Sequence, residues 1–372
     1  MNKKIVISIN TSWNIINFRV GLLKALQKNG YKIIIVAPYD QYTNLFKEYQ
    51  FEYYNIQINN KGLNPLEDML LIINYYRLFK LIQPDIILNY TIKPNIYGTI
   101  AASMLNIPTI NNIAGLGTLF VKENFVTTIA QYLYRFSQSR ASKIFFQNRD
   151  DYQLFIDKKI VSKTKSFILP GSGIDTKIFK PSKINKEQKK VIFLLISRMI
   201  WDKGIREYVE AARIIKSQYK NVEFQLLGFL DVMNKTAIAE KQMLEWVEEG
   251  VVNYLGTSDN IKIEIENADC IVLPSFYREG TPRVLLEAAS MSKPIITTDN
   301  VGCRDVVDDG INGFLCKVKD TNSLVESLKK FLNLSYKEKL EMGKLGRKKI
   351  CKEYDESIII ENYLREIKKI LN

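Results

Sequence analysis

The chain has 372 residues, of which 46% are hydrophobic, and it carries a net charge of +13 with no histidine. A chain of this length is typical of two domains, since one domain usually holds about 100–200 residues. The absence of histidine excludes the most common general base, the serine–histidine–aspartate type of active site and most zinc chemistry. Any catalysis must therefore use carboxylates, cations and backbone groups.

The cysteines and the apolar runs restrict the compartment. Four cysteines without CxxC spacing argue against a disulfide framework or a zinc site and are typical of a reducing cytoplasm. The N-terminal stretch is too short and too interrupted for a secretory signal. The longest apolar run, Met69–Tyr76, falls short of the roughly 18 residues of a membrane span, and Arg77 and Lys80 follow it at once. We therefore predict a cytoplasmic protein.

The first half of the chain alternates short β-branched runs with helical patterns. A loop, NTSWNIINFRVG, is expected to join the first strand to the first helix. Gly30 is expected to end that helix. The predicted strands are Lys3–Asn10, Tyr31–Pro38, Pro84–Tyr90, Ile107–Ile113 and Lys143–Asn148, and the predicted helices lie around Val20–Asn29 and Tyr97–Leu105.

The pattern restarts after Pro181, where a lysine-rich stretch is predicted to be a linker. A helix is predicted at Ile205–Tyr219, and the terminal stretch 354–372 is predicted to be an amphipathic helix. The predicted strands are Val191–Ser197, Val222–Gly228, Val251–Gly256, Cys270–Ser275, Pro294–Asp299 and Gly313–Lys317.

Strands that alternate with helices indicate parallel sheets covered on both faces. The sequence therefore predicts an α/β protein of two tandem, doubly wound, Rossmann-like domains, residues 1–181 and 190–350. Ligands of such sheets bind beyond the carboxyl ends of the strands, and two such domains are expected to share an interdomain cleft.

The stretch REGTPRVLLE, Arg278–Glu287, follows a predicted strand and begins a predicted helix with Pro282 in its first turn. The amides of Gly280, Thr281, Arg283 and Val284 would then form the positive end of the helix, where an anion such as a diphosphate binds. Glu279 would lie at the ligand, and Glu287 would accept hydrogen bonds from paired hydroxyls. The plainer alternative is that acidic residues simply favour a helix start.

Two further strand ends carry residues suited to a nucleotide. Arg198 and Lys203 follow the strand Val191–Ser197 and could neutralise a pyrophosphate, or they could be two solvated charges. Gly228 follows another strand, where a bulkier residue would block a nucleotide, although a simple turn would also explain it.

These motifs resemble a known family. RMIWDKG and the E-x7-E stretch Glu279–Glu287 are similar to the donor half of retaining glycosyltransferases of family 4, which have the GT-B fold. TIKPNIYG and INNIAGLGT resemble the capsule, O-antigen and glycan-assembly branch, and the resemblance covers nearly the whole chain.

The resemblance implies a nucleoside diphosphate-sugar donor in the C-terminal domain. Arg198 and Lys203 would hold the diphosphate, Glu279 and the following amides the sugar, and Glu287 the ribose. It implies retention at the anomeric carbon, with the leaving phosphate helping to deprotonate the acceptor, and a terminal helix that braces the first domain. No cofactor is expected, and the lack of a D-x-D sequence predicts no required metal.

One departure concerns the first domain, where many members of the family have a glycine pair and a histidine. Here Asn17, Arg19 and Gly21 occupy the first loop, and Gly115 and Gly117 are candidates to replace the missing histidine contact.

Basic residues in the first half of the chain predict a binding site for the acceptor. Lys93, with Arg19, could bind the pyrophosphate of a polyprenol-linked sugar, or the two could be a solvated lysine and a structural arginine.

The charge is concentrated in the first half of the chain. Residues 1–181 carry 22 basic against 11 acidic residues, whereas the remainder carries 31 against 29. This excess predicts an anionic partner, either an inner membrane surface or a phosphate-bearing acceptor. The helical stretch Phe125–Lys143, with Arg135, Arg140 and Lys143, could lie on that membrane, although a stripe facing the core is slightly favoured. Nucleic acid is not expected, because neither a zinc finger nor an RNP-type aromatic motif is present.

The resemblance thus implies transfer of an N-acetylhexosamine or hexose, UDP-linked, to a polyprenyl-diphosphate-linked glycan. The alternatives are a transferase with a soluble sugar acceptor and a non-catalytic nucleotide-sugar-binding protein. An epimerase of the same fold is less suited, because such enzymes normally use histidine.

Overall fold

The structure is a computed structural model that describes residues 3–59, 64–116, 125–182, 190–230 and 234–372. It divides into two compact units, Met1–Ser172 with Glu356–Asn372, and Gly173–Asp355. The second unit begins at Gly173, earlier than the predicted boundary at Pro181. Most of the predicted linker lies outside the described residues.

The first unit contains a seven-stranded parallel sheet in the order β3-β2-β1-β4-β5-β6-β7. The central strands are apolar runs buried on both faces, as parallel sheets require. The strands are β1 (Lys4–Ser8), β2 (Lys32–Ala37), β3 (Glu52–Asn55), β4 (Ile86–Tyr90), β5 (Thr109–Ile113), β6 (Lys143–Phe146) and β7 (Ser166–Ile168). The two outermost strands, β3 and β7, were not predicted from the sequence.

Helices cover both faces of this sheet. They are α1 (Ser12–Phe18), α2 (Val20–Lys28), α3 (Pro65–Ile82), α4 (Thr99–Met104), α5 (Phe125–Gln138) and α6 (Arg149–Asp157), joined by α13 (Glu356–Leu371) from the end of the chain. Helices α1, α2 and α13 pack on one face, and helices α3 to α6 pack on the other.

The prediction of a loop before α2 was wrong, because residues Ser12–Phe18 form helix α1. Thr11 caps this helix, and the carboxylate of Asp40 accepts hydrogen bonds from the amides of Ser12 at 2.8 Å and Trp13 at 3.1 Å. Acceptors for the first helical amides stabilise a short helix that local propensity alone would not.

The second unit contains a six-stranded parallel sheet in the order β10-β9-β8-β11-β12-β13. Its strands are β8 (Val191–Ile196), β9 (Val222–Leu227), β10 (Asn253–Tyr254), β11 (Cys270–Leu273), β12 (Ile295–Thr298) and β13 (Gly313–Cys316). Its helices are α7 (Ile205–Gln218), α8 (Glu240–Glu248), α9 (Ile261–Asn267), α10 (Arg283–Ser290), α11 (Thr321–Asn333) and α12 (Tyr336–Glu353). Helices α7, α8 and α11 pack on one face, and α9, α10 and α12 pack on the other.

The terminal helix α13 packs in the core of the first unit. Ile359, Tyr363 and Ile367 are buried there against the apolar strands β1, β2 and β4. The carboxylate of Glu366 also lies 3.5 Å from Lys143 at the start of β6. No helix within the described ranges is long and apolar enough to cross a membrane.

Candidate functional site

The carboxyl ends of β8, β11 and β12 are held together by hydrogen bonds between the loops that follow them. The carbonyl of Asp202, after β8, accepts from the amides of Phe276 and Tyr277, after β11, both at 3.0 Å. Asn300, after β12, donates its side-chain amide to the carbonyl of Tyr277 at 3.0 Å. These bonds fix three loops at one edge of the second sheet, where ligands of parallel sheets bind.

Lys203 and Glu279 meet at this edge. The ammonium of Lys203, whose residue is 8% exposed, contacts Oε1 of Glu279. The hydroxyl of Ser275 lies 3.3 Å from the same carboxylate oxygen. The ring of Tyr277 lies 5.3 Å from the ammonium. The structure therefore brings together two residues that the sequence assigned to one site from separate motifs.

Gly204 makes the position of Lys203 possible. Its φ is +75°, and a Cβ there would lie 2.0 Å from the carbonyl oxygen of Pro274. Only glycine permits so close an approach in this conformation. Sequence reasoning did not select Gly204, Asp202, Ser275 or Tyr277, although the glycine directly after the motif lysine was the available signal.

Glu287 is buried in helix α10 and pairs with a neighbouring side chain. Nε of Arg283 lies 3.0 Å from Oε1 of Glu287, and Glu287 is 7% exposed. Burial raises the pKa of the Glu287 carboxyl, and the guanidinium of Arg283 opposes that rise. Sequence reasoning used the amide of Arg283 and missed the role of its side chain.

The placement of Pro282 in the first turn of the helix was wrong. Helix α10 begins at Arg283, and Pro282 precedes it with an extended ψ of 116°. The carbonyl of Pro282 accepts from the amide of Leu285 at 3.1 Å, as an N-cap carbonyl does. Arg283 and Val284 are therefore the first helical residues, and Gly280 and Thr281 are buried in the loop before them.

Gly228 is needed for the packing of the backbone, whereas the sequence suggested that a bulkier residue there would block a nucleotide. Its φ is +144°, and a Cβ would lie 1.7 Å from the carbonyl oxygen of Ser197. The glycine therefore lets the ends of β8 and β9 approach each other. Arg198, beside Ser197, is exposed, and its guanidinium forms no hydrogen bond or ion pair within the part of the chain that the structure describes.

Comparison with known proteins identifies the family. Residues 4–148 match the family model "Glycosyl transferase 4-like", and residues 176–349 match "Glycosyl transferases group 1". The chain belongs to glycosyltransferase family 4. Its two parallel-sheet units are those of the GT-B fold.

Three similar proteins illustrate this glycosyltransferase's relatives. The N,N'-diacetylbacillosaminyl-diphospho-undecaprenol alpha-1,3-N-acetylgalactosaminyltransferase of Campylobacter jejuni is 27% identical, over 96% of both chains. The UDP-Gal:alpha-D-GlcNAc-diphosphoundecaprenol alpha-1,3-galactosyltransferase of Escherichia coli is 24% identical, over 72% of this chain and 71% of its own. The crystal structure of HepE from Anabaena with UDP and glucose superposes with a TM-score of 0.77 at 16% identity, over 99% of this chain and 100% of its own.

In the first unit of the glycosyltransferase, Arg19 is buried between α1 and α2. It is 5% exposed, its guanidinium lies 4.3 Å from the centre of the Tyr90 ring, and its Nε lacks a hydrogen-bond partner among the described residues. Of the other two loop candidates, Asn17 is exposed on α1 and donates to the carbonyl of Trp13 at 2.9 Å. A Cβ on Gly21 would lie 2.3 Å from a carboxylate oxygen of Glu356, so this glycine leaves room for that side chain.

Lys93 is neither solvated nor unpaired. Its ammonium lies 2.7 Å from Oδ1 of Asp68 on α3, and the Tyr97 hydroxyl donates to Oδ2 of Asp68 at 2.7 Å. Burial, and then the Asp68 carboxylate, raise the pKa of the Tyr97 phenol. The sequence did not predict this partner, because α3 was not predicted as an element. Gly115 follows β5 with a φ of +120°, and Gly117 lies outside the described residues.

The predicted basic stripe of Arg135, Arg140 and Lys143 is divided. Helix α5 ends at Gln138, and Lys143 instead begins β6 and pairs with Glu366. Arg135 donates to the carbonyl of Lys158 at 2.8 Å, and Arg140 donates to the carbonyl of Phe136 at 2.7 Å. Both arginines remain exposed.

Proposed function

We propose that this glycosyltransferase moves a hexosyl or N-acetylhexosaminyl group, with retention of configuration, from a UDP-linked sugar to a polyprenyl-diphosphate-linked glycan in cell-surface polysaccharide assembly. The names of the Campylobacter and Escherichia coli relatives support a diphosphoundecaprenol-linked acceptor. The Escherichia coli name and the UDP bound to HepE support a uridine nucleotide.

The contact between Lys203 and Glu279 carries the proposal. The resemblance assigns Lys203 to the diphosphate and Glu279 to the sugar, and the donor joins these two groups through one glycosidic bond. Two side chains that touch each other can therefore bind the two sides of the bond that breaks. Glu287, whose carboxylate accepts a hydrogen bond from Arg283, is the residue that we propose to accept hydrogen bonds from the ribose hydroxyls.

The proposed reaction needs no separate protein base. An acceptor hydroxyl attacks the anomeric carbon on the face that the diphosphate leaves, so that one C–O bond forms as the other breaks. The hydroxyl proton passes to the departing phosphate oxygen. Lys203 stabilises the negative charge that develops on this group, and such preorganised charge usually contributes more to rate enhancement than any other single effect.

On the acceptor side, we propose that Lys93 and Arg19 bind the acceptor's diphosphate. Both lie near the carboxyl end of β4, since Arg19 stacks on Tyr90, the last residue of that strand, and Lys93 follows it closely. An anionic ligand would share Lys93 with Asp68. The guanidinium of Arg19 has an unsatisfied Nε, which favours a further hydrogen-bond acceptor beside it.

The test is a donor and acceptor screen that measures nucleotide release. UDP-, GDP- and ADP-sugars are tested with polyprenyl-diphosphate sugars and with free sugars, and the product's anomeric configuration is read by NMR. We expect UDP release that requires a lipid-linked acceptor and gives a product with the donor's configuration. A preference for free sugars would favour a soluble-acceptor transferase. Donor binding without release under any condition would favour a non-catalytic binding protein.

A further inference from the structure

Helix α3 is apolar on its outer face as well as on its inner face. Its inner residues, among them Leu71, Tyr75 and Phe79, are buried against the sheet. On the opposite side, the first two turns expose four large apolar side chains: Leu66 (69%), Met69 (52%), Leu70 (55%) and Ile73 (37%). At helical spacing these four residues share one face. A soluble helix normally shows polar residues there, so this face needs a partner.

The neighbouring helices extend the same outer surface. Helix α3 contacts α4, and α4 contacts α5, within the layer that covers one face of the first sheet. Met104 at the end of α4 is exposed, as are Ile129, Tyr132 and Phe136 at helical spacing on α5. The exposed apolar side chains therefore lie on three adjacent helices of one layer. We call this surface, formed by the outer residues of α3, α4 and α5, the outer helical face.

Positive charge accompanies these apolar residues. Arg77 and Lys80 continue the exposed row along α3, and Arg135 and Arg140 lie beside the apolar residues of α5. A cavity of about 470 Å³ beside α5 is lined by four cations, Arg135, Lys159, Lys163 and Lys165. Of the two acids on α3, Asp68 is buried with Lys93, and Glu67 accepts from Asn64 in the first turn. Apolar side chains beside exposed cations complement an anionic lipid surface rather than an ordinary protein surface.

The outer helical face is connected to the proposed acceptor residues through α3. Asp68, whose carboxylate binds Lys93, lies in the same helical turns as Leu66 and Leu70 but points inward. The apolar row is thus about one helix diameter, on the order of 10 Å, from the lysine proposed for the acceptor's diphosphate. A diphosphate bound there would lie at the depth of lipid headgroups if the row entered the membrane.

We propose that the outer helical face docks this enzyme on an anionic phospholipid membrane, with Leu66, Met69, Leu70 and Ile73 entering the interface and the surrounding cations binding lipid phosphates. The proposal rests on the proposed function in one respect, because a lipid-linked acceptor gives the enzyme a reason to bind there. It differs from the sequence analysis, which considered a membrane contact for the stretch Phe125–Lys143 and slightly favoured a stripe facing the core.

The test compares vesicle binding of the protein and its variants by flotation, with vesicles of equal parts phosphatidylcholine and phosphatidylglycerol. The triple variant Leu66→Ser, Leu70→Ser, Ile73→Ser should lower the partition coefficient by about 30-fold or more, since each side chain loses apolar insertion. Arg77→Gln with Lys80→Gln should lower it by about tenfold and weaken its salt dependence. The matched control is Leu244→Ser, Ile263→Ser, Leu340→Ser, which changes exposed apolar residues of the second unit and should bind like wild type.

A second measurement separates docking from catalysis. With a short-chain, water-soluble diphosphate-linked acceptor, the triple variant should turn over like wild type, whereas with a long-chain acceptor in vesicles it should be slower. If the wild-type enzyme uses no lipid-linked acceptor, the proposed function is wrong. The flotation experiment still shows whether the outer helical face binds the membrane.

Three results would overturn the docking proposal. The first is that the wild-type protein does not bind these vesicles. The second is that the triple variant and the Arg77/Lys80 variant both bind as strongly as wild type. A wild-type dimer that the triple variant converts to monomer would assign the outer helical face to a second copy of the chain. A melting temperature close to wild type shows that each variant is folded.

Discussion

Replacement of Lys203 by methionine tests the candidate donor site most directly. Methionine keeps most of the length and volume of the side chain and removes only the charge. If Lys203 stabilises the departing diphosphate, its contribution is largest in the transition state. Loss of one such preorganised contact costs about 2.7–4 kcal/mol, so kcat/KM should fall by about 10²–10³-fold.

The same substitution has a structural cost that must be separated from the catalytic one. Lys203 and Glu279 have side chains that are 11% and 14% exposed, so Lys203→Met leaves a largely buried carboxylate without its cation. We expect a loss of about 2–3 kcal/mol of unfolding free energy, which lowers the melting temperature by roughly 5–10 °C. Adding Glu279→Gln removes the negative charge that has lost the ammonium of Lys203 and should restore most of the stability.

The assay measures nucleotide release with saturating acceptor, together with thermal unfolding, for the single and double variants. The double variant should regain stability but not activity, because the diphosphate still lacks its cation and the sugar also lacks the carboxylate proposed to bind it. Lys349→Met is a suitable control, since Lys349 has a 13% exposed side chain in the same unit and pairs with Asp308 at 2.8 Å. The control should retain activity.

Two outcomes would refute the assignment of Lys203. Activity of Lys203→Met within a few-fold of wild type would show that the ammonium does not stabilise the leaving group. Recovery of activity along with stability in the double variant would show that the pair has only a structural role.

Four further predictions concern Glu287, Lys93 and Gly228. Glu287→Gln should raise the donor KM by about 10–100-fold with a smaller change in kcat, since a charged hydrogen bond contributes about 1.5–3 kcal/mol to binding; a large fall in kcat at unchanged KM would contradict this. Burial raises the pKa of Glu287, and only the ionised carboxylate accepts both ribose hydrogen bonds. The affinity of the wild-type protein for a UDP-sugar should therefore fall as the pH decreases through that raised pKa. Calorimetry should show that the affinity of Glu287→Gln depends less on pH than that of wild type. Lys93→Met should lower turnover with a diphosphate-linked acceptor by about tenfold or more without changing the donor KM. If binding of the donor and use of the acceptor were weakened equally, Lys93 would have only a structural role. Gly228→Ala should lower the free energy of unfolding, measured by urea titration, by about 3 kcal/mol, because its Cβ would meet the Ser197 carbonyl. The control Gly250→Ala, whose Cβ would meet nothing within 4 Å, should lower it by about 1 kcal/mol. Equal losses in the two variants would refute the steric reason.

The sequence alone determined the fold class and predicted the candidate donor residues. Apolar β-branched runs such as Ile33–Val36 are buried on both faces of their sheet, so their local pattern indicates central parallel strands. The spacing of Glu279 and Glu287 around a helix start, and the position of Lys203 after a strand, are also local features. They are readable because position relative to one strand or helix is encoded within a few residues.

The tertiary structure decided which residues meet and why others stand where they do. Lys203 touches Glu279 across 76 residues because β8 lies beside β11, an order that no local pattern specifies. In the same way Lys93 has Asp68 as its partner, Lys143 meets Glu366 of the terminal helix, and Asp40 stabilises a helix in a predicted loop. These contacts depend on strand order and on the packing of distant helices. The sequence supplies the charges, and only the folded chain selects their partners.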